Sequence, residues 1–192
     1  MTGINAIIFY SSTIFADSGS SLSANLQTAL VMGINMISVI GAFFMLTKYG
    51  RRDLEIVWTG ACAICLLIQG IASIVGANTL MLIMTMLFVA SFEFGPGPIL
   101  WLYNGEILEE NAISVAVFLS WLFVMIIGLL TPALMNHWLG SGPTFIMFGL
   151  FNVAGVVFLY FFMKETKGLS DAEVKRLYME KDYEGPIRQT EE

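Results

Sequence analysis

The sequence predicts an all-α membrane protein whose chain crosses a bilayer six times. Of its 192 residues, 57% are hydrophobic and only 12% are charged, roughly half the charged share of an ordinary soluble domain. Residues 18–47, 56–92 and 111–163 contain no Asp, Glu, Lys or Arg, and uncharged runs of that length belong in hydrocarbon. A spanning helix needs about 20 residues at a rise of about 1.5 Å each, so the 163 residues before Lys164 hold about six crossings joined by short loops.

The first helix is expected over 2–16, where Ile4, Ala6, Ile7, Ile8, Phe9 and Tyr10 precede a turn-like Asp17, Ser18, Gly19, Ser20, Ser21 linker. The second is expected over 24–46, with Asn35 as its most polar interior member. It ends at what reads as a charged loop, with Lys48, Arg51, Arg52, Asp53 and Glu55 within eight residues. The third helix is then expected over 56–75, and Gly76, Ala77 and Asn78 close it.

The fourth segment, 79–107, is interrupted at 95–98 by Gly95, Pro96, Gly97 and Pro98. Proline removes a backbone donor and glycine lets the chain bend, so no plain helix runs through this tetrad. The freed carbonyls need protein or water, which turns the break toward the bundle interior or a wet cavity. A fifth helix is expected over 112–134, a turn over Asn136 to Gly142, and a sixth helix over 143–163 with Pro143 in its first turn.

Those crossings make residues 1–163 one transmembrane bundle, and 164–192 a charged tail with eight acids and six bases. Within the tail, Ser170 and Glu173 form a capping-box pattern, and Val174, Leu177 and Tyr178 give a short amphipathic helix over about 171–181 its apolar stripe. The bases fall in the loop after the second helix and in the tail, so both termini are expected on the cytoplasmic or matrix-like side. The host membrane, organellar or plasma, is left open, and Met1 leads into no cleavable leader pattern.

Several function classes are disfavoured. The net charge of −6 and the lack of a basic block argue against nucleic-acid binding. His137 is the only histidine, and no Ser, His and acid constellation, metal cluster or phosphate-cradling lysine loop is visible, so no enzyme, metal or cofactor is expected. Cys62 and Cys65 read as small core residues, and Glu109 and Glu110 beside Glu106 as a solvated acidic loop. Trp58 and Trp138 read as interface anchors.

Glu93 is the one acid near the middle of an expected crossing. An intramembrane carboxyl is costly to ionise and is a functional candidate by default. It either ties the broken helix to a neighbour's freed backbone donor or couples to protons. Asn5, Tyr10, Gln69, Ser120 and Asn152 are neutral polar groups at membrane depth, suited to an uncharged polyol or to interhelical hydrogen bonds. Trp101, just after the break, and Trp121 offer the apolar faces that complete a sugar site.

Gly3, Ile4, Asn5 with Phe9, Tyr10, Ser11, then Gly50, Arg51, Arg52, then Phe92 to Trp101 across the break, and Glu165, Thr166, Lys167, Gly168 recur in a collinear order over residues 1 to about 175. In this the sequence resembles the sugar-porter branch of the major facilitator superfamily, and within it the C-terminal six-helix half of a hexose transporter. The resemblance implies that the first helix and the broken fourth helix line a sugar cavity. Asn5 and Trp101 would face sugar there, with Tyr10 and Trp121 close by. It also implies a charged cluster of Arg51, Arg52, Glu106, Glu165 and Lys167 that latches the two halves of a transporter on the cytoplasmic side.

The departures from that family pattern shape the functional expectation. The glutamine pair that precedes the Gly, Ile, Asn motif is missing, and the loop after Glu106 lacks the latch arginine. Ser120 stands where an asparagine is common, and Lys164 where a proline usually opens the exit motif. A transporter of this superfamily needs two six-helix halves rocking about a central site. The leading expectation is therefore a degenerate, non-transporting structural subunit of a larger membrane assembly, with other membrane subunits as partners. The alternative is a half-transporter that moves a hexose or similar neutral polyol after pairing with a second six-helix half. Whether Asn5, Trp101 and Trp121 face an open cavity discriminates the two.

Overall fold

The computed structural model describes residues 2–8 and 23–179. Every regular element among the described residues is helical: α1, described over residues 4–8, then α2 (Ala24–Lys48), α3 (Arg51–Val75), α4 (Asn78–Phe94), α5 (Pro96–Ile107), α6 (Glu110–Ala133), a π turn (Leu134–Trp138), α7 (Ser141–Phe162) and α8 (Asp171–Met179). Among the described residues five segments are long and apolar enough to cross a membrane, α4 and α5 counting as one. Most of the expected first crossing, 2–16, lies outside the described residues, as does the end of the tail helix beyond Met179.

Helix α3 is the hub. It packs against both α7 and α4, and α2 packs on α4. The α3–α7 contact is close because glycines face each other across it. A Cβ on Gly70 would lie 2.8 Å from the Gly142 carbonyl oxygen, and one on Gly142 would lie 2.9 Å from that of Gly70. Lipid tails are as apolar as leucine, so membrane helices associate through this kind of backbone approach and through buried hydrogen bonds. Gln69 supplies one such bond, its amide donating to the Thr85 hydroxyl of α4 at 2.9 Å. Helix α1 joins the same core by burying Ile4, Ala6 and Ile7, and the Asn152 amide of α7 donates to the Thr2 carbonyl at 3.0 Å.

The elements depart from the sequence reading in four places. First, α3 begins at Arg51 rather than 56, so Arg51, Arg52, Asp53 and Glu55 are helical and not a loop. The cause is a cap from far along the chain. The Glu165 carboxylate accepts the free backbone N–H groups of Arg51 at 2.9 Å and Arg52 at 3.1 Å, a favourable seat for an anion at a helix N-terminus. Gly50 makes room for it, since a Cβ there would collide with the Glu165 carboxylate.

Second, the interruption in the fourth segment is one residue wide. α4 ends at Phe94, Gly95 breaks the path at φ −135° and ψ −91°, and α5 restarts at Pro96. Pro96 and Pro98 are tolerated in the first turn of α5 because no intrahelical donor is needed there. Third, Asn136, His137 and Trp138 continue the fifth helix as a π turn, and the chain reverses only at Leu139 and Gly140. Both of their N–H groups close on the Leu134 carbonyl, at 2.9 and 3.1 Å, and Gly140 takes φ +86°. Fourth, Trp58, expected as an interface anchor, packs its ring within the chain on Phe94 at 4.9 Å between centroids, beside the break.

Candidate functional site

The break in the fourth segment opens onto a cavity of about 700 Å³. Its wall takes Asn5 from α1, Glu93 from the last turn of α4, and Pro96, Gly97, Pro98 and Trp101 from α5, with Ser120 and Trp121 from α6. Pro98 leaves the Phe94 carbonyl without the i+4 donor that a continuous helix would supply, and Pro96, Gly97 and Pro98 all line the cavity. Trp101 is 49% exposed and Trp121 63% exposed, so both indoles are available to something in the cavity. Tyr10 lies outside the described residues.

Glu93 is held from across the bundle. Its Oε1 accepts a hydrogen bond from the Asn35 side-chain amide of α2 at 2.7 Å. The partner is thus a side-chain amide, whereas the sequence reading considered a freed backbone donor or proton coupling. The bond aims the carboxyl while leaving its second oxygen for other donors. Nothing in the spacing of Asn35 and Glu93, 58 residues apart, announces this pair.

A second cluster lies at the end of the bundle where α3 begins. The Arg51 guanidinium meets the Glu106 carboxylate of α5 at 3.1 Å and 3.2 Å. Arg52 donates to the carbonyls of Met163 and Tyr160, each at 2.8 Å. Glu165 caps α3 and also accepts the Lys167 N–H at 2.8 Å, while Lys167 Nζ donates to the Thr47 carbonyl at 2.9 Å. The Thr166 hydroxyl bonds to the second oxygen of Glu106. Arg51, Arg52, Glu106, Glu165 and Lys167 therefore form one network that ties α2, α3, α5 and the segment after α7. Helix α8 is fastened beside it. Tyr103 of α5 donates to the Lys164 carbonyl at 2.8 Å and bonds to the Tyr178 hydroxyl, and Lys164 Nζ reaches the Leu177 carbonyl at 2.7 Å.

Two groups escaped the sequence reading. Tyr103 joins α5 to the tail. Glu55 is in the second turn of α3 and not in a loop, and it contributes to the cavity wall, with its Oε2 buried and unpartnered. A helix start drawn at Arg51 would have made it the second acid at membrane depth. Among the described residues no three of His, Cys, Asp and Glu gather to hold a metal, and Cys62 and Cys65 are buried free thiols.

Comparison with known proteins accounts for this arrangement. The family described as "Sugar (and other) transporter" matches residues 1–178. The chain is 32% identical to the facilitated trehalose transporter Tret1 of Apis mellifera ligustica, covering 98% of this chain and 39% of that protein. It is 30% identical to the human solute carrier family 2 facilitated glucose transporter member 3, over 93% of this chain and 37% of the relative. Among solved structures, a double-tryptophan mutant of XylE superposes with a TM-score of 0.85 at 28% identity, over 92% of this chain and 40% of that one. XylE bound to 6-bromo-6-deoxy-D-glucose, described as a proton:xylose symporter of the major facilitator superfamily, gives a TM-score of 0.77. The chain thus spans about two fifths of the length of these relatives. It belongs to the sugar (and other) transporter family, a family of multi-pass membrane transporters and not of enzymes, and has a helical membrane fold related to the sugar porters of the major facilitator superfamily.

Proposed function

We propose that the chain forms the C-terminal six-helix half of a sugar porter and moves a hexose or a similar neutral polyol together with a second six-helix half. That half can be supplied by another chain or by further polypeptide. The observation that carries the reading is the open cavity at the helix break, where Asn5, Glu93, Trp101 and Trp121 share one wall. Amide and carboxyl groups pair with sugar hydroxyls, and indole faces cover the apolar side of a pyranose ring. A structural subunit would not need such a space, and the relatives are named as transporters. The leading sequence expectation of a non-transporting subunit therefore gives way to its alternative.

In this reading the network around Arg51, Glu106 and Glu165 is the latch that meets the other half, on the cytoplasmic or matrix-like side. The bases of the α2–α3 connection and of the tail support that orientation. The test is uptake of radiolabelled hexose by proteoliposomes containing the protein and whatever half accompanies it from the native membrane. Uptake that saturates, and that Trp101→Ala reduces about tenfold, is expected for loss of a ring-stacking contact. Preparations with both halves present but no sugar uptake would return the chain to a scaffold role.

A further inference from the structure

We propose that the cavity takes a cationic sugar, a hexosamine with its amine protonated, and that Glu55 selects for the amine. This rests on the transporter reading above and narrows its substrate class. Among the described residues of the cavity wall there are two carboxyl residues, Glu55 and Glu93, and no Lys, Arg or His. Glu93 already has an amide donor in Asn35. Glu55 Oε2 is buried with no hydrogen-bond partner.

The bases nearest to Glu55 along α3 are committed elsewhere. Arg51, one turn back, is bound to Glu106, and the Arg52 guanidinium is bound to the carbonyls of Met163 and Tyr160. A buried carboxylate without a counter-charge is costly, and a hydroxyl donor relieves less of that cost than a cation does. Something positive arriving through the cavity would settle it. The dimensions favour an organic cation over a bare ion, since about 700 Å³ is room for a sugar. The wall also carries Trp101 and Trp121, and indole is the ring that best attracts an ammonium group.

The test is a tryptophan-fluorescence titration of the full protein, purified in mild detergent with its accompanying half, at a pH that keeps the amine protonated. Glucosamine, glucose and N-acetylglucosamine are compared, the last keeping the nitrogen but losing the charge. Glucosamine should bind about tenfold more tightly than glucose, as one charge-assisted hydrogen bond provides, and N-acetylglucosamine should show no such gain. Glu55→Gln should bring the glucosamine-to-glucose ratio to about one, whereas Glu55→Asp, which keeps the charge, should retain most of it. Size-exclusion elution of both variants checks that they fold. Glucose binding without a glucosamine preference overturns this proposal and leaves the transporter reading intact. A preference that survives Glu55→Gln in a folded variant overturns the role of Glu55. Binding of none of the three sugars overturns both readings.

Discussion

Helices α3 and α6 have almost the same length, 25 and 24 residues, and both are apolar enough to span a bilayer. Yet 44% of the most apolar window of α3 is buried within the chain, against 6% of that of α6. Their side chains explain the difference. α3 carries Gly60, Ala61, Cys62, Ala63, Cys65, Gly70 and Ala72 along its length, and neighbouring backbones come close to it. α6 presents Val115, Phe118, Trp121, Phe123, Met125 and Leu129 outward. Hydrophobicity puts both helices in the membrane, and residue size decides which becomes the hub. The uncovered surface of α6 then belongs to lipid and, in the proposed function, to the second half and the sugar.

The contrast can be broken most severely at its tight end. Gly70→Leu should cost about 3 kcal/mol or more, since an added side chain meets the Gly142 carbonyl and Ile146 backbone with nowhere to move. Leu129→Ala on α6, at a site 72% exposed, should stay within about 0.5 kcal/mol. Thermal melting in detergent, followed by size exclusion, reads both; equal losses at the two sites would contradict the hub assignment.

A smaller loss is expected where α3 is capped. Glu165→Ala removes the acceptor for the Arg51, Arg52 and Lys167 amides and should lower stability by about 1–2 kcal/mol. Faster amide exchange at the first turn of α3, with the rest of that helix unchanged, would locate the effect.

On the loose helix the expected change is in binding. Trp121→Ala should weaken sugar affinity about tenfold while leaving the melting temperature within experimental spread, because this ring lines the cavity but belongs to no core cluster. A fall in melting temperature matching that of Gly70→Leu would mean that α6 contributes to the core after all.

The smallest effect lies in the tail. Hydrogen bonds from the Ser170 hydroxyl and backbone N–H hold the Glu173 carboxyl below its ordinary value. The capping box is therefore intact above the ordinary carboxyl range, and its contribution is lost as pH falls through the lowered value. Protection factors of the α8 amides, measured against the intrinsic exchange rate at each pH, should fall on acidification, and Glu173→Gln should flatten that dependence.

How far the molecule can be read from its residues follows the same division. Charge-free runs mark α2, α4, α6 and α7 as apolar segments of membrane-spanning length, because burial in hydrocarbon is a property of composition. The glycine-proline tetrad marks the break, and Asn5, Trp101 and Trp121 share the cavity beside it. What escaped notice depends on distant partners. The start of α3 at Arg51 needs a cap from Glu165, more than a hundred residues later, and no local pattern contains it. Without that cap, Glu55 reads as a loop acid. The Asn35–Glu93 bond likewise requires knowing that α2 lies on α4. The π turn at Leu134–Trp138 keeps a polar Asn, His pair helical where composition suggested a reversal.

The single-residue joint at Gly95 has a mechanical consequence. Below it, α5 is a short rigid rod whose far end is strapped to the tail through Tyr103, Lys164 and Tyr178. The Arg51–Glu106 pair ties the same end of α5 to α3, so a tilt of α5 at the joint would have to carry both α3 and α8 or part these contacts. A spin label or fluorophore on α8 would then register either outcome without touching the cavity.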